Sequence, residues 1–155
     1  MDTSMNHKQQ YGRLIAMSVL SFISMYILMY AMVDIFANVY SNFNQFYMVG
    51  LMTVPMVIIE VSLMGIMYQN KKLNALLIGT SVILGSLFFV FIRQQTLISD
   101  QQFLRSMIPH HAGAILMCGK APIQDPEIKE LCKDIIENQQ SEINQMKAII
   151  ERLEK

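Results

Sequence analysis

The chain has 155 residues, 53% of them hydrophobic and only 15% charged, with a formal net charge of zero. That length suits one ordinary domain, but the apolar excess is unusual for a soluble one and points to a membrane protein. Neither half has the basic excess of a nucleic-acid binder: residues 1–93 hold five Lys/Arg against three acids, and residues 94–155 hold seven against nine.

Three apolar runs come first. Leu14 to Val33 and Leu73 to Ile92 carry no charge, and Phe46 to Tyr68 carries only Glu60. Each is about 20 residues long, enough to cross a ~30 Å hydrocarbon core at ~1.5 Å per residue, so three transmembrane helices are expected. The first run is too long for a removable signal peptide, and no small-x-small cleavage site follows it. Lys8 and Arg13 precede the first run, and Lys71 and Lys72 fill the second loop. The loop from Asn38 to Gln45 has no cation. Cations in short loops stay on the cytoplasmic side, so the N-terminus is expected inside and everything after Arg93 outside. The expected location is a multi-pass plasma (inner) membrane, with Arg93 as the one cation on the wrong side. Tyr40, Phe46 and Tyr47 at one boundary, and Tyr11 and Tyr68 at the other, fit interfacial aromatic belts.

Beyond the third run, Ser99 with Gln102 has capping-box spacing and predicts a helix to about Cys118, stopped by Gly119 with Pro122 just beyond. Pro109 inside it frees the carbonyl of Arg105 and predicts a kink. Asp125-Pro126-Glu127 starts a second helix with an N-cap, a Pro at the first position and an acid in the first turn. The expected fold is all-α: a cytoplasmic tail over 1–13, three transmembrane helices over 14–93, and an extracytoplasmic antiparallel hairpin over 94–155. His7 reads as a solvated tail residue.

The segment Met107 to Met117, MIPHHAGAILM, carries two imidazoles and two thioethers on one helix. Residues three or four apart share a face, so Met107, His110, Ala114 and Met117 form a stripe with His111 beside it. Thioether sulfur is a poor ligand for zinc, magnesium or calcium and a good one for monovalent copper, and imidazole accepts either copper state. The competing reading is core methionine and surface histidine.

On the second helix, Cys132, Ile135, Gln139, Glu142, Met146, Ile149 and Leu153 alternate three and four apart, as a buried seam does. Gln139 and Glu142 are costly there unless paired. In a hairpin closing near Gln124 or Asp125, level residues have numbers summing to about 250. Met107 then faces Met146, His110 faces Glu142, His111 faces Gln139, and Cys118 faces Cys132. A carboxylate and an amide opposite the histidines fit the outer partners of a ligating His, and Glu142 is also a candidate ligand. Cys118 and Cys132 admit two readings, a disulfide in a compartment where such bonds persist, or thiolates that add two copper ligands.

The pattern FLRSMIPHHAGAILM followed by DPEIKELCKDIIENQQSEINQMKAIIERL resembles the CopM-like copper-binding family, long catalogued under a domain-of-unknown-function label and related in fold to ferritin-like bundles. The resemblance covers about residues 99–153. It implies an extracytoplasmic copper-binding or copper-tolerance protein in which Met107, His110, His111, Met117 and Met146 hold the ion, with Cu(I) favoured. The chain departs from the family pattern at Cys118 and Cys132, where Ala is common, and at Ile150, where Trp often sits.

Two other function classes compete. A di-iron or di-manganese enzyme would need Glu-x-x-His motifs, and none occurs. No other catalytic constellation is present, so an enzyme is not expected. A membrane interaction or assembly protein with incidental histidines is the main alternative. Met48, Met52, Met56, Glu60 and Met64 recur every four residues and, with Met25, Met29 and Met32, admit two readings, a relay giving an accessory role in copper transport, or the stronger one, ordinary apolar filler of membrane spans. A single hairpin also leaves Ile136, Ile143 and Ile150 off the seam, and the third run offers Ser81 and Gly85 as a close-approach pair. A homodimer completing a four-helix bundle is therefore expected, with the loop from Asn38 to Gln45, or the membrane surface, as the competing cover.

Overall fold

A computed structural model describes residues 7–65 and 67–155. The expected tail lies outside these residues up to Asn6, and the side chains of His7 and Lys8 are not described. Among the described residues all regular structure is helical: α1 (His7–Leu28), α2 (Phe43–Leu63), α3 (Lys71–Gln94), α4 (Asp100–Lys120) and α5 (Pro126–Leu153), with two 3-10 turns at Met29–Met32 and Phe36–Asn38. The chain divides into two compact units. One takes the chain up to Leu28 with Phe46–Thr96, and the other takes Met29–Gln45 with Leu97–Lys155.

The first unit is built from the three apolar runs. Its helices are long and apolar enough to cross a membrane over Gln9–Met32, Phe43–Leu63 and Lys71–Gln94. The second run stops as a helix at Leu63, short of Tyr68. Asn70 then caps α3, its side chain accepting from Leu73 N at 3.1 Å. Most of the apolar surface points outward: Ile15 is 62% exposed, Leu20 64% and Ile83 61%. An aqueous domain would bury such residues, whereas helices surrounded by lipid need not. The buried residues are few: Leu14, Val49 and Val61, the aromatic Tyr47 and Tyr68, and small residues where helices approach closely. A Cβ on Gly50 would come within 2.6 Å of the Phe88 ring, so only glycine admits that ring against α2. Ser81 and Gly85 are buried, and a Cβ on Gly85 would lie 3.0 Å from Val54 Cγ1. The small pair thus serves packing of α3 on α2 within one chain. Tyr47 is also buried, with its ring 5.5 Å from that of Phe91 and its hydroxyl donating to Thr96 O at 3.1 Å, so it does not lie in an outward-facing belt.

The second unit is the hairpin of α4 and α5 covered by residues 29–45. Both predicted starts are present: Ser99 Oγ accepts from Gln102 N at 3.3 Å, and Asp125 Oδ1 accepts from Glu127 N and Ile128 N at 2.9 and 3.0 Å. The helix α4 runs on through Pro109. It also passes Gly119, which is not left-handed, and ends at Lys120 with Ala121 as its cap. Lys120 in the last turn complements the helix dipole without a glycine stop.

The core of this unit is Ile108, Ala112, Ile143, Met146 and Ile150, with Val33, Tyr40, Leu104, Met107 and Ile115 packed around it. Ile143 and Ile150 were expected to need a second copy. They are buried within the chain, and Val33 together with Tyr40, from the loop named as the competing cover, packs against the cluster that contains them. The segment between α1 and α2 is fastened by polar contacts. Lys147 Nζ donates to Asn38 Oδ1 at 2.6 Å, Asn38 Nδ2 donates to Asp34 Oδ1 at 2.7 Å, Asn44 Nδ2 donates to Ser106 Oγ at 3.2 Å, and Phe43 N donates to Gln102 Oε1 at 3.1 Å. Asn38 is only 1% exposed, so its amide needs both partners. Two of the three residues of that row, Ile143 and Ile150, thus have a cover within the chain, while Ile136 is half-buried outside this core.

Candidate metal centre

On α4 the residues at the core are Leu104, Met107, Ile108, Ala112 and Ile115, with His111 buried beside them; of the expected stripe Met107, His110, Ala114 and Met117, only Met107 packs there. His111 is buried, 8% exposed, whereas His110 is exposed and Met117 is 53% exposed. Successive helical residues are turned by about 100°, so one of two adjacent histidines must leave the seam. The buried line of α5 also departs from the expected seam: Ile143, Met146 and Ile150 are buried, while Glu142 is exposed and Leu153 is 44% exposed.

The pairing across the seam changes accordingly. His111, not His110, meets Glu142, with Nε2 and Oε2 2.7 Å apart, and no bond joins His111 to Gln139. The numbers of that pair sum to 253, as do those of Met107 and Met146, while the Cys118 and Cys132 pair keeps the sum of 250. Cys118 and Cys132 form a disulfide, with Cα atoms 5.1 Å apart, which realises the first of the two cysteine readings. Beside it a cleft of about 370 Å³ is lined by Ile123, Lys129, Lys133 and Ile136, among others. At the open end of the hairpin, Arg105 and Gln101 both donate to Glu154 Oε1, at 3.0 and 2.9 Å.

His111 is held on both sides. Its Nδ1 lies 2.9 Å from Met107 O, a group that can only accept, so Nδ1 carries a proton and donates. An ionised Glu142 also only accepts, so the full arrangement is satisfied when the ring bears both protons. A copper ion would need the Nε2 lone pair, in the place where Glu142 now stands. The Glu142 side chain is 54% exposed and free to swing outward, so Nε2 becomes available to an ion only when this pair opens. The His110 ring lies 6.0 Å from that of His111, centroid to centroid. Met107 packs against the same core cluster as Met146. Among the described residues no group of three or more His, Cys, Asp or Glu is gathered for a metal, so any such site depends on the thioethers.

Met48, Met52 and Met64 are 40%, 47% and 40% exposed, which puts this methionine stripe on the outside of the first unit and not along an enclosed route. Asn38, Asn42 and Lys147 were not anticipated as structural residues. The available signal was the amide-rich run Asn38, Asn42, Asn44 and Gln45 between two apolar stretches.

These features define a helical protein with three helices long enough to span a membrane and a disulfide-closed hairpin whose seam bears a His–Glu pair. Residues 91–150 match the model of a domain of unknown function, DUF305. A protein of Acanthamoeba polyphaga mimivirus, described as uncharacterised, is 38% identical over 112 residues, which cover 71% of this chain and 72% of the viral one. The chain belongs to this family. No solved structure matches it.

Proposed function

We propose that the chain is a membrane-anchored copper-binding protein of the CopM-like kind, non-enzymatic, with its hairpin on the extracytoplasmic side. It would serve copper sequestration, tolerance or handling. The observation that carries this reading is the company of His111: a second imidazole, His110, directly precedes it in the chain, Met107 stands one turn before it on α4, and the Met107 and Met146 thioethers share one core cluster. Thioethers with imidazoles favour Cu(I) over zinc or the hard cations. Met107, His110, His111 and Met146 are the proposed ligands. Met117, on the exposed face two turns on, is a capturing sulfur at most, and Glu142 moves aside or joins the ion.

The test is a Cu(I) titration of the full chain in detergent against a competing chelator, in a Cys118→Ser/Cys132→Ser background so that freed thiolates do not contribute. The His110→Ala/His111→Ala variant is expected to lose tight binding while keeping its helicity. Unchanged stoichiometry in that variant overturns the site.

One observation favours a second reading, an interaction or assembly protein. Both His111 nitrogens are already satisfied, by Met107 O and Glu142, which is what a purely structural pair requires. Glu142→Gln separates the two. Retained or tightened copper binding supports the metal reading, whereas no binding in either form, with faster opening of the hairpin, supports the structural one.

A further inference from the structure

The first unit contains a cleft that the copper reading does not use. It has a volume of about 220 Å³ and is lined by Gln10, Arg13 and Met17 of α1, Glu60 of α2, and Met67 and Tyr68 of the following loop. This is below the roughly 300–1,000 Å³ of ordinary small-molecule sites, so its occupant is small or enters by one end only. The polar groups are arranged unusually. Arg13 and Glu60 line one cleft, yet no ion pair joins them. Glu60 Oε1 accepts from the Tyr68 hydroxyl at 3.4 Å, and Oε2 has no partner among the described residues. Gln10 Oε1 is buried and has no hydrogen-bond partner. Tyr68 is itself buried and fixed, its ring 5.3 Å from that of Tyr11, whose hydroxyl donates to Asn74 Oδ1 at 2.7 Å.

Two acceptors, a carboxylate oxygen and a buried amide oxygen, call for one donor with several N–H groups. A separate guanidinium calls for an anion. A primary ammonium joined by a short link to a phosphate meets both demands. We infer that this cleft binds the headgroup of a phosphoethanolamine lipid, with the ammonium between Glu60 Oε2 and Gln10 Oε1 and the phosphate on Arg13. A choline headgroup has no N–H and cannot satisfy Gln10, so the site discriminates between these lipids. The acyl chains have a surface to follow: Leu63, one turn beyond Glu60, is 77% exposed, and Met67 is 37% exposed. The inference rests on the membrane-spanning part of the reading above and is independent of copper.

The experiment is native mass spectrometry of the full chain in detergent, offered phosphatidylethanolamine or phosphatidylcholine of identical acyl chains. Phosphatidylethanolamine is expected to be retained roughly tenfold more strongly, the scale of one charge-assisted contact. Glu60→Gln should reduce phosphatidylethanolamine retention to the phosphatidylcholine level, Arg13→Ala should weaken retention of both lipids, Arg13→Lys should keep most of it, and Arg93→Gln should leave it unchanged. Circular dichroism checks that each variant keeps its helices, and a variant that loses them is replaced by Gln10→Leu, which removes only the amide acceptor. Equal retention of both lipids by the wild-type chain overturns the site. Full competition by soluble phosphoethanolamine or by inorganic phosphate alone overturns the lipid as its ligand. Carbonate extraction of membranes containing the chain distinguishes the two levels of failure. A chain that stays in the pellet but shows no selectivity loses only the headgroup site, and a chain released to the aqueous phase loses the membrane reading as well.

Discussion

Ile143 is the residue at which two accounts of the hairpin diverge most. Its spacing with Ile136 and Ile150 assigns it to an outer row, but in the structure it is 0% exposed among Ile108, Ala112, Met146 and Ile150, with Val33 and Tyr40 packed against the same cluster. Ile143→Ala removes three carbons from a site closed on all sides, and such a truncation costs about 3 kcal/mol. At ~1.4 kcal/mol per factor of ten, amides protected by closure of this unit should exchange about a hundredfold faster. Hydrogen–deuterium exchange of the full chain in detergent reads this from peptides of α4, α5 and residues 29–45 together. Ile143→Val should cost about 1 kcal/mol, roughly fivefold, and Leu131→Ala, at a position 57% exposed, almost nothing. Exchange within twofold of wild type for Ile143→Ala would refute the intramolecular core. A change in oligomeric state without faster exchange would restore the row to an interface between copies.

Two further outcomes follow from the same unit. Without reductant the chain should show no reactive thiol, and reduction should expose two and weaken the hairpin by ~3 kcal/mol, because the Cys118–Cys132 bond closes a loop with a sequence separation of 14; two thiols labelled in the untreated chain exclude the bond. Lys147→Ala leaves Asn38 Oδ1 buried without its cation, a cost of about 1–3 kcal/mol, and should speed exchange in residues 29–45 more than in α3; equal effects in both segments would mean that the Lys147–Asn38 contact does not fasten the strap.

The elements themselves were legible because each rests on local chemistry. Apolar runs of membrane length with at most one charge gave three helices, Ser99 and Asp125 gave two helix starts, and the hairpin register put Cys118 level with Cys132, leaving bond or thiolates for the structure to decide. What the sequence misjudged depends on contacts between distant segments. Gly119 reads as a stop only in isolation, and the helix has room for one more residue. Ser81 and Gly85 look like a surface for another chain, but both are buried within this one and Val54 lies against Gly85. Tyr47 reads as interfacial by its place in the sequence, although neighbouring rings enclose it.

The displacement of the seam has the same origin and decides the chemistry. An isolated hairpin has one contact surface, and its midline passes between His110 and His111 on α4 and between Glu142 and Ile143 on α5. A two-helix argument has no reason to prefer either side, and heptad counting chose the side rich in polar residues. The strap of residues 29–45 breaks that tie. Val33 and Tyr40 offer apolar surface on one flank only, so the helices turn Ile108, Ile143 and Ile150 toward it and leave Glu142 and His110 at the opposite rim. His111 is carried inward by the same rotation and must find acceptors for its ring nitrogens, which Met107 O and the rim carboxylate supply. The proposed copper site is thus half core and half rim, with Met146 and His111 fixed by packing and His110 and Glu142 free to move. A soft ion held by such a set can enter from the rim without opening the core.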